Sequence, residues 1–447
     1  MTTLAEKVQE VSRDVNARPL TDYYVISIIV AALTGLGVLM VTSSSMTWSV
    51  LDGDTVWGTA IKQAAMVVVG CFAFWFALRM RPESIKRWAG ALLVVSIVLL
   101  VLVLIPGIGT GREEVGSQSW IVLGPLRIQP SEIAKVAIAV WGSAMLSARK
   151  NKTPGMDQRY LKFGGVSILM VSLIVFQGDV GMALAFLVVV GFVLFFAGVN
   201  KNLILGAVAV VGVGLLVLSM SGGFRSDRFT VYFDALFGSF SDTRGRAFQS
   251  YQGFLSLADG SLTGVGLGQS RAKWFYLPEA KNDFIFAIIG EELGLWGGAI
   301  VIGLFGLLAW FGLRTAQRSQ SRFQCLLAAS LTAGVVAQAF INIGYVVGLV
   351  PVTGIQLPMI SAGGTSAIIT LGAMGLLANC ARHEPEAIST MQNYGRGAWD
   401  RILRLPEPVA PNAKRIKPKE PARFGRPVTS RGGSVVERTP ANRRRRR

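Results

Sequence analysis

The segment YLPEAKNDFIFAIIGEELG, residues 276–294, places several ionisable side chains at the start of a long apolar run. They are Tyr276, Glu279, Lys281, Asp283, Glu291 and Glu292. A carboxylate at the edge of an apolar run is partly desolvated, which suits a general base, although the nearby Lys281 favours the charged form. A helix N-cap is an alternative role for Asp283, and the two roles are compatible. The segment therefore predicts acid–base chemistry centred on Asp283.

A second group of polar residues lies in GSQSWIVLGPLRIQPSEIAK, residues 116–135. Glu132 and Lys135 are three residues apart on one helical face, so they can pair with each other or hold partners on neighbouring helices. Ionisable residues at a membrane edge are costly and indicate function, but a structural ion pair is the alternative here. Trp120 is a candidate for stacking on a sugar ring, and an interfacial anchor is its alternative role.

Three further segments give weaker signals. Asp179 lies in QGDVG, which has the composition of an ordinary turn. GVGLG, residues 264–268, lacks the strand and helix that flank a phosphate-binding loop, so it predicts flexibility and close backbone approach beside Arg271 and Lys273. Prolines and glycines at 342–366 interrupt two apolar helices. Irregular backbone at membrane depth needs surrounding protein or a water-filled cavity, and a plain re-entrant turn is the alternative.

Membrane helices are the elements that must position these residues. Of the 447 residues, 51% are apolar and 16% are charged, and the mean hydropathy is +0.50, which is unlike a soluble chain of this length. A helix needs about 20 apolar residues to cross a bilayer. Ten candidate runs lie near 24–43, 61–79, 89–106, 131–148, 163–177, 182–199, 203–220, 284–313, 324–350 and 363–381.

The predicted fold is an all-α membrane protein: a polytopic bundle of about ten transmembrane helices with one long extracellular loop and a disordered basic C-terminal tail. Residues 1–22 form a cytoplasmic N-terminal segment in this prediction, and 23–382 form the membrane domain. The long outer loop spans about 221–283, and the tail spans 383–447.

The distribution of Lys and Arg predicts the orientation, because cytoplasmic loops are enriched in these residues. With a cytoplasmic N-terminus, the inner loops contain Arg79, Arg81, Lys86, Arg87, Arg149, Lys150, Lys152, Arg159, Lys162, Lys201, Arg314, Arg318 and Arg322. Apart from the long loop, the opposite loops contain Arg112 and Arg127. Both termini are therefore predicted to be cytoplasmic.

Much of the net charge of +18 lies in the tail, which contains 17 basic and 6 acidic residues from Arg382 onward. The other basic residues follow the membrane side rather than one continuous face, so nucleic acid is not the expected partner. The expected partner is anionic lipid, because each Lys or Arg beside an anionic leaflet contributes roughly 1 kcal/mol of attraction. A disordered, membrane-attracted tail and a docking segment for a partner are the two interpretations.

Several reaction classes are excluded by what the sequence lacks. The sole histidine, His383, follows the last helix on the predicted inner side, which rules out a histidine-based triad on the outer face. Cys71, Cys325 and Cys380 lie in or beside apolar runs and form neither a disulfide framework nor a CxxC metal motif. No GxxxxGK[ST] or HExxH motif is present. Carboxylates and cations remain, and they suit transfer from a substrate that arrives already activated, such as a lipid-linked pyrophosphate sugar.

Four long segments together resemble the SEDS family (shape, elongation, division and sporulation) of polytopic peptidoglycan polymerases. They are SWIVLGPLRIQPSEIAK, SLTGVGLGQS, YLPEAKNDFIFAIIGEELG and GLVPVTGIQLPMISAGGTS. They occur in the family's order, and the likeness covers about residues 20–385. The amino-acid sequence of the last segment is closer to the division-type FtsW branch than to the RodA branch, although both branches share all four segments.

The resemblance implies glycosyl transfer with lipid II on the outer face of the bacterial plasma membrane. The 4-hydroxyl of one lipid-linked disaccharide attacks the anomeric carbon of the growing glycan, which expels undecaprenyl pyrophosphate with inversion. Asp283 matches the aspartate of the family's DFIFA motif and is the implied general base. Substrate-binding roles are implied for the other matching positions, which are Trp120, Glu132, Lys135, Lys273, Glu279 and Ser361.

The sequence departs from the family pattern at three places. Ser119 precedes the tryptophan where arginine is frequent, Gly178 replaces the usual proline, and AKND stands where AHTD is common. Position 119 therefore lacks the outer cation that a phosphate-binding role would use. Lys281 is the candidate replacement.

The implied partners are lipid II, a class B penicillin-binding protein that supplies the transpeptidase activity, and other divisome proteins. The sequence specifies no cofactor or metal site and leaves a dependence on Mg or Mn open. Two other classes of protein remain as alternatives. One is a lipid II flippase or other transporter, which broken helices and membrane-edge charges would equally suit. The other is a non-catalytic divisome scaffold.

Overall fold

The computed structural model describes most of the chain from residue 19 to residue 408. The described ranges are 19–51, 55–112, 116–124, 126–148, 158–202, 248–273 and 279–408, with Leu277 and isolated positions between 204 and 232. The helices are α1 Thr21–Leu51, α2 Gly58–Arg79, α3 Pro82–Leu102, α4 Pro130–Leu146, α5 Gln158–Phe176, α6 Val180–Ala197, α7 Phe248–Gly260, α8 Ile285–Arg318, α9 Arg322–Val346, α10 Thr365–Arg382, α11 Pro385–Tyr394 and α12 Ala398–Ile402. The strands β1 Gly109–Thr110, β2 Trp120–Leu123 and β3 Leu126–Ile128 form one antiparallel sheet in the order β1-β2-β3.

Seven of the described helices are long and apolar enough to cross a membrane. They are α1, α2, α3, α5, α6, α8 and α9. Two further helices, α4 and α10, are mostly buried among these spans: α4 packs on α3, α6 and α9, while α10 packs on α2, α9 and α1. Because protein rather than lipid surrounds them, α4 and α10 can contain polar residues that find partners inside the bundle.

The predicted bundle of membrane helices is confirmed in the described part of the chain. Nine of the ten predicted runs coincide with α1 to α6 and α8 to α10. Most of the remaining run, 203–220, and residues 221–247 of the predicted outer loop, apart from Tyr232, lie outside the described residues. Within that loop, the structure describes one 13-residue helix, α7.

Helices α1 to α6 run in alternating directions, as do α8 to α10, so the bundle has two distinct ends. At one end, here called the loop end, the Thr365 hydroxyl donates a 2.7 Å hydrogen bond to the Arg127 carbonyl and so joins α10 to β3. At the other, here called the terminal end, the Asn379 amide donates to the carbonyls of Ala77, Leu78 and Met80. The predicted acid–base segment at 276–294 lies at the loop end.

A break in α8 shapes the loop end. Gly294 has φ 68° and ψ −166°, values outside the helical region. The backbone N–H groups of Val265 and Gly266 donate to the carbonyls of Glu291 and Glu292 at 2.9 and 3.1 Å. The broken helix thus obtains its missing hydrogen bonds from the glycine-rich loop, as membrane-embedded backbone requires. The close backbone approach predicted for GVGLG is confirmed.

The folded part of the chain extends past the boundary predicted at residue 382. Residues 383–408 contain α11 and α12, and the described part of this segment packs on the membrane domain rather than extending as a disordered tail. Asp400 is buried and forms a 2.8 Å ion pair with the guanidinium of Arg382. Its other carboxylate oxygen accepts a hydrogen bond from the Tyr23 hydroxyl at 3.1 Å. Composition did not reveal this packing, because it depends on a buried pair whose members are 18 residues apart. Residues 409–447 lie outside the described part of the chain.

Candidate active site

Asp283 lies two residues before α8, and its backbone is held by the end of α9. The carbonyl of Asp283 accepts hydrogen bonds from the Asn342 amide at 2.9 Å and from the Tyr345 hydroxyl at 3.0 Å. The ring of the next residue, Phe284, packs against the Tyr345 ring with 5.7 Å between centroids. Asp283 itself is only half-buried. The N-cap of α8 is Phe284, one residue later than the alternative capping role for Asp283 requires.

The segment between α9 and α10 lies directly against the backbone before Asp283. The Ser361 hydroxyl donates to the Asn282 carbonyl at 2.8 Å and accepts from the Leu357 N–H at 2.8 Å. The Ala362 N–H donates to the Lys281 carbonyl at 2.9 Å. The structure thus brings together three of the predicted site residues, Lys281, Asp283 and Ser361. It uses the Ser361 side chain to connect two backbone segments.

Glu279 is exposed and begins the turn that leads to Asp283. Its φ of 55° is unusual for a residue other than glycine. Its carbonyl accepts hydrogen bonds from the N–H groups of Asn282 at 3.0 Å and Phe284 at 3.3 Å. Its carboxylate accepts a hydrogen bond from the Asn282 amide. The Glu279 carboxylate therefore lies at the solvent side of a turn whose other end is Asp283.

Lys273 is buried, and the protein's own groups surround its ammonium. The ammonium lies 3.5 Å from the Glu292 carboxylate and donates to the Gly268 carbonyl. Glu292 also accepts from the Ser43 hydroxyl, whose oxygen is 2.6 and 2.8 Å from its two carboxylate oxygens. A buried carboxylate needs this kind of pairing. Lys273 therefore ties the glycine-rich loop to α8 and, through Glu292, to α1.

Glu291 makes a parallel set of contacts. It accepts hydrogen bonds from the Ser270 hydroxyl at 2.7 Å and from the Arg271 N–H at 2.6 Å. Both acids of α8 at this level are almost completely buried. Each connects the 270–273 loop to the helix, so this loop is attached to α8 through two buried carboxylates.

Glu132 and Lys135 form the predicted pair, and the pair is part of a longer network. The Lys135 ammonium lies 3.0 Å from the Glu132 carboxylate and also donates to the side-chain oxygen of Gln338 on α9. The Gln338 amide donates at 3.0 Å to the carbonyl of Gln356, in the segment that contains Ser361. The structural interpretation of the pair therefore holds, and its contacts extend toward the segment beside Asp283.

A small cavity of about 30 Å³ adjoins this network. Its polar lining comes from Glu132, Lys135, Ser330, Gln338 and Thr370. This volume has room for one or two water molecules, and the lining offers several hydrogen-bond partners to them.

Trp120 lies on β2, half-exposed, in the small sheet at the same end of the bundle. Its strand pairs with β1 and β3, and β3 is joined to α10 through the Arg127 carbonyl. The sheet thus provides a fixed platform for the indole at the loop end.

Asp179 does more than occupy a turn. Its carboxylate accepts a 3.0 Å hydrogen bond from the Met182 N–H and so caps α6. It also accepts a 3.2 Å bond from the side-chain amide of Gln129, the residue before α4. Burial raises the pKa of the Asp179 carboxyl above its usual range, while the Met182 N–H opposes this effect. Asp179 therefore fixes α6 relative to the start of α4.

Four residues of this network were absent from the predicted site. They are Asn342, Tyr345, Gln338 and Glu292. A signal existed for each of them: an amide, a phenol or a carboxylate within an apolar run needs a partner inside the bundle. What the sequence alone does not give is which partner each one has. In the part of the chain that the structure describes, no three His, Cys, Asp or Glu residues converge as a metal site.

Fold and site together define a polytopic helical membrane protein in which the carboxylate and cation cluster at the loop end is held in place by buried polar side chains. The family model FtsW/RodA/SpoVE, described as a cell cycle protein, matches residues 24–386. The chain belongs to this family.

Curated relatives are similar over most of the chain. The probable peptidoglycan glycosyltransferase FtsW of Mycobacterium tuberculosis is 42% identical over 391 residues, which are 88% of this chain and 74% of that protein. Stage V sporulation protein E of Bacillus subtilis is 36% identical over 358 residues, which are 80% of this chain and 96% of that protein.

Two solved structures share the fold. One was reported as "Structural coordination of polymerization and crosslinking by a peptidoglycan synthase complex". It has a TM-score of 0.64 at 24% identity and covers 80% of this chain and 97% of its own. The other is the rod shape determining protein RodA of Thermus thermophilus. It has a TM-score of 0.59 at 24% identity and covers 80% of this chain and 96% of its own.

Proposed function

We propose that this protein is a peptidoglycan glycosyltransferase of cell division that polymerises lipid II into glycan strands. The relatives named FtsW support the activity and the role in division. The observation that best supports the site is the fixed backbone of Asp283, whose carbonyl is held by Asn342 and Tyr345 while the residue itself is half-buried. A general base must be held within hydrogen-bond reach of the proton that it removes.

In the proposed reaction, the Asp283 carboxylate accepts the proton of the 4-hydroxyl on one lipid-linked disaccharide. The oxygen forms a bond to the anomeric carbon of the growing glycan as the bond from that carbon to undecaprenyl pyrophosphate breaks. The pyrophosphate leaves with the electron pair, and the anomeric configuration inverts. Cations near a leaving pyrophosphate stabilise its developing negative charge, and Lys281, two residues from the base, is the candidate for this role.

The remaining predicted site residues divide into two groups by their surroundings. Glu279 and Trp120 are accessible at the loop end and are proposed to contact substrate. Lys273, Glu132, Lys135 and Ser361 are buried and bonded to the protein. Their proposed role is to hold the substrate-binding segments in place.

The decisive experiment compares the purified protein with its Asp283→Asn variant, each with and without a class B penicillin-binding protein, in a lipid II polymerisation assay. Removal of the base should lower the rate by about 10² to 10⁴-fold, with unchanged folding and membrane insertion. A loss of less than tenfold would show that Asp283 is not the base.

A flippase or a non-catalytic scaffold is the competing function. Transporters place charged groups along the full width of the membrane. In the described spans, Asp, Glu, Lys and Arg lie within about two turns of a helix end. The stretches 293–313 of α8 and 323–346 of α9 contain no charged residue. This distribution favours surface chemistry at the loop end over passage through the bundle.

The proposed location is the bacterial plasma membrane, with cytoplasmic termini and the loop end outside. The asymmetry of Lys and Arg supports this orientation. A cysteine introduced as Ser250→Cys should react with an impermeant thiol reagent in wall-stripped cells, whereas Ser319→Cys should not. Cysteine-free protein is the background, and reversed labelling would place the site on the inner side.

The proposed partner is a class B penicillin-binding protein, together with other divisome proteins. In the part of the loop end that the structure describes, no acyl-transfer constellation of serine with histidine or lysine is present, so the proposal assigns peptide cross-linking to another protein. The solved peptidoglycan synthase complex, whose reported name pairs polymerisation with crosslinking, shares this fold. The small residues in AASLTAGVVAQA of α9 are mostly buried and pack inside the bundle, whereas Ala299 and Gly303 in GLWGGAIVIG of α8 are exposed and permit close approach of another helix.

Copurification with the transpeptidase tests this proposal. Deletion of 411–447 should leave the complex intact if the interface is formed by the loop end and the spans. The deletion must not start earlier, because Leu405 is fully buried and Arg382 donates to the Pro406 carbonyl. Loss of the complex, with unchanged membrane levels, would identify the basic tail as the docking element.

A further inference from the structure

The segment Tyr394–Arg404 has one buried face and one exposed apolar face. On the buried side, Asp400 is 1% exposed and pairs with Arg382. On the other side, Trp399 and Ile402 are 56% and 72% exposed, and their spacing of three residues places them on the same face of α12. Large apolar side chains that stay this exposed in a folded segment mark a contact surface.

A hydrogen bond fixes the depth of this surface relative to the membrane spans. The Trp75 indole N–H donates to the Leu403 carbonyl at 2.8 Å. Trp75 lies four residues before the end of α2 at Arg79, which is about 6 Å inside the helix end at 1.5 Å per residue. Phe72 and Phe76 of the same helix are exposed on its lipid-facing surface. The segment is therefore held beside lipid-facing side chains at the level of the membrane interface.

Within Tyr394–Arg404 the exposed charged residues are the cations Arg396, Arg401 and Arg404, and Arg396 lies 4.0 Å from the exposed carboxylate of Glu407. Arg401 and Arg404 are exposed on either side of Ile402. The guanidinium of Arg79 lies 5.2 Å from the centroid of the Trp75 ring. Apolar and aromatic side chains flanked by arginines are typical of helices that lie in the headgroup region, with the apolar face about 5–10 Å into the acyl boundary.

We propose that Tyr394–Arg404 is an interfacial anchor that inserts Trp399 and Ile402 into the bilayer and binds the phosphates of anionic phospholipids through Arg401 and Arg404. The proposed site consists of residues within 394–404 and does not include the basic residues after 408. Through the Asp400–Arg382 pair, lipid bound here is connected to the end of α10, whose other end begins next to the segment that contains Ser361.

The test uses the full-length protein in vesicles of phosphatidylcholine with or without phosphatidylglycerol. An environment-sensitive fluorophore is attached at Ile402→Cys or, as a matched control, at Ser389→Cys. Both proteins also contain Cys71→Ala and Cys325→Ala. The parent protein with these two substitutions, which keeps only the buried Cys380, gives the background labelling. Ser389 is exposed on α11, whose buried side is formed by Ala387, Ile388 and Met391.

A nitroxide on the lipid acyl chain should quench the label at position 402, and a water-soluble quencher should quench the label at 389. In vesicles with phosphatidylglycerol, aqueous alkylation of the unlabelled thiol at 402 should rise by up to about fivefold for each of Arg401→Gln and Arg404→Gln. Neutral vesicles should show no such rise. Arg112→Gln, which removes an exposed cation at the loop end, should leave the alkylation rate unchanged.

Two outcomes would overturn the proposal. Quenching of the 402 label by the aqueous reagent to the same degree as the 389 label would show that the segment faces water. Protection from both quenchers would show that protein, such as a second copy of the chain, covers this face.

Discussion

The hydroxyl oxygen of Tyr345 lies 3.0 Å from the carbonyl oxygen of Asp283 and 2.7 Å from that of Ile355. Tyr345 lies at the end of α9, so one side chain bridges the backbone before α8 and the backbone before α10. The Asn342 amide contacts the same two carbonyls at 2.9 and 2.7 Å. The position of the proposed base is therefore set by α9, a helix to which it does not belong.

Tyr345→Phe should impair catalysis through this connection. The substitution keeps the ring that packs on Phe284 and removes only the hydroxyl. We expect a decrease in kcat of about 10 to 10²-fold, because a small displacement of a reacting group has effects of this size, with little change in KM. Stability should fall by about 1 kcal/mol. Lipid II polymerisation kinetics and thermal unfolding measure the two effects.

Tyr160→Phe is the matched control for this variant. The Tyr160 hydroxyl donates at 3.3 Å to the Ala197 carbonyl at the terminal end, so the same chemical deletion should lower stability comparably and leave kcat unchanged. Equal kinetic losses in the two variants would mean that Tyr345 acts only through stability.

A double-mutant cycle on Lys273 and Glu292 should separate structural from substrate-binding roles. Lys273→Met alone leaves a buried carboxylate unpaired and should destabilise the protein by about 3–5 kcal/mol. The double variant Lys273→Met, Glu292→Gln should regain much of that stability, because the new side chain is neutral and its amide oxygen can still accept a hydrogen bond from the Ser43 hydroxyl. Thermal unfolding of all four proteins measures the coupling.

Polymerisation by the same proteins decides between the two roles of Lys273. If Lys273 holds the loop, activity should recover with stability in the double variant. A stable double variant without activity would instead show that its ammonium binds substrate.

The limits of sequence-based prediction are clear at particular residues. The spans were predictable because long apolar runs have few alternatives to crossing the membrane. The pairing of Glu132 with Lys135 was predictable from their helical spacing. The break in α8 at Gly294 was not predictable, because the apolar run continues through this residue. It depends on N–H groups that residues 265 and 266 supply from another segment. The burial of Asp400 was not predictable either, because its pairing with Arg382 exists only in the folded structure.

The glycine-rich loop should tolerate substitution very unevenly. Gly264 and Gly268 have similar φ values of 80° and 78°, so alanine is strained at both, by about 1–2 kcal/mol. At Gly264 a Cβ would also lie 2.2 Å from the Glu292 carbonyl oxygen, whereas at Gly268 its nearest neighbour is 4.0 Å away. Gly264→Ala should therefore lower the Tm considerably more than Gly268→Ala. Equal Tm values would contradict the close packing of this loop on the break in α8.

Glu384 should make stability depend on pH. The residue lies just after α10, and burial, followed by the negative charge of Asp22, raises the pKa of its carboxyl to about 8. The folded protein thus retains a proton between about pH 4.5 and pH 8 that the unfolded chain has released, so stability should fall as the pH rises through this range. Glu384→Gln mimics the protonated form and should remove this decline. Thermal unfolding from about pH 5 to about pH 9 should show the variant gaining on the wild type as pH increases, and parallel curves for the two proteins would show that Glu384 titrates normally.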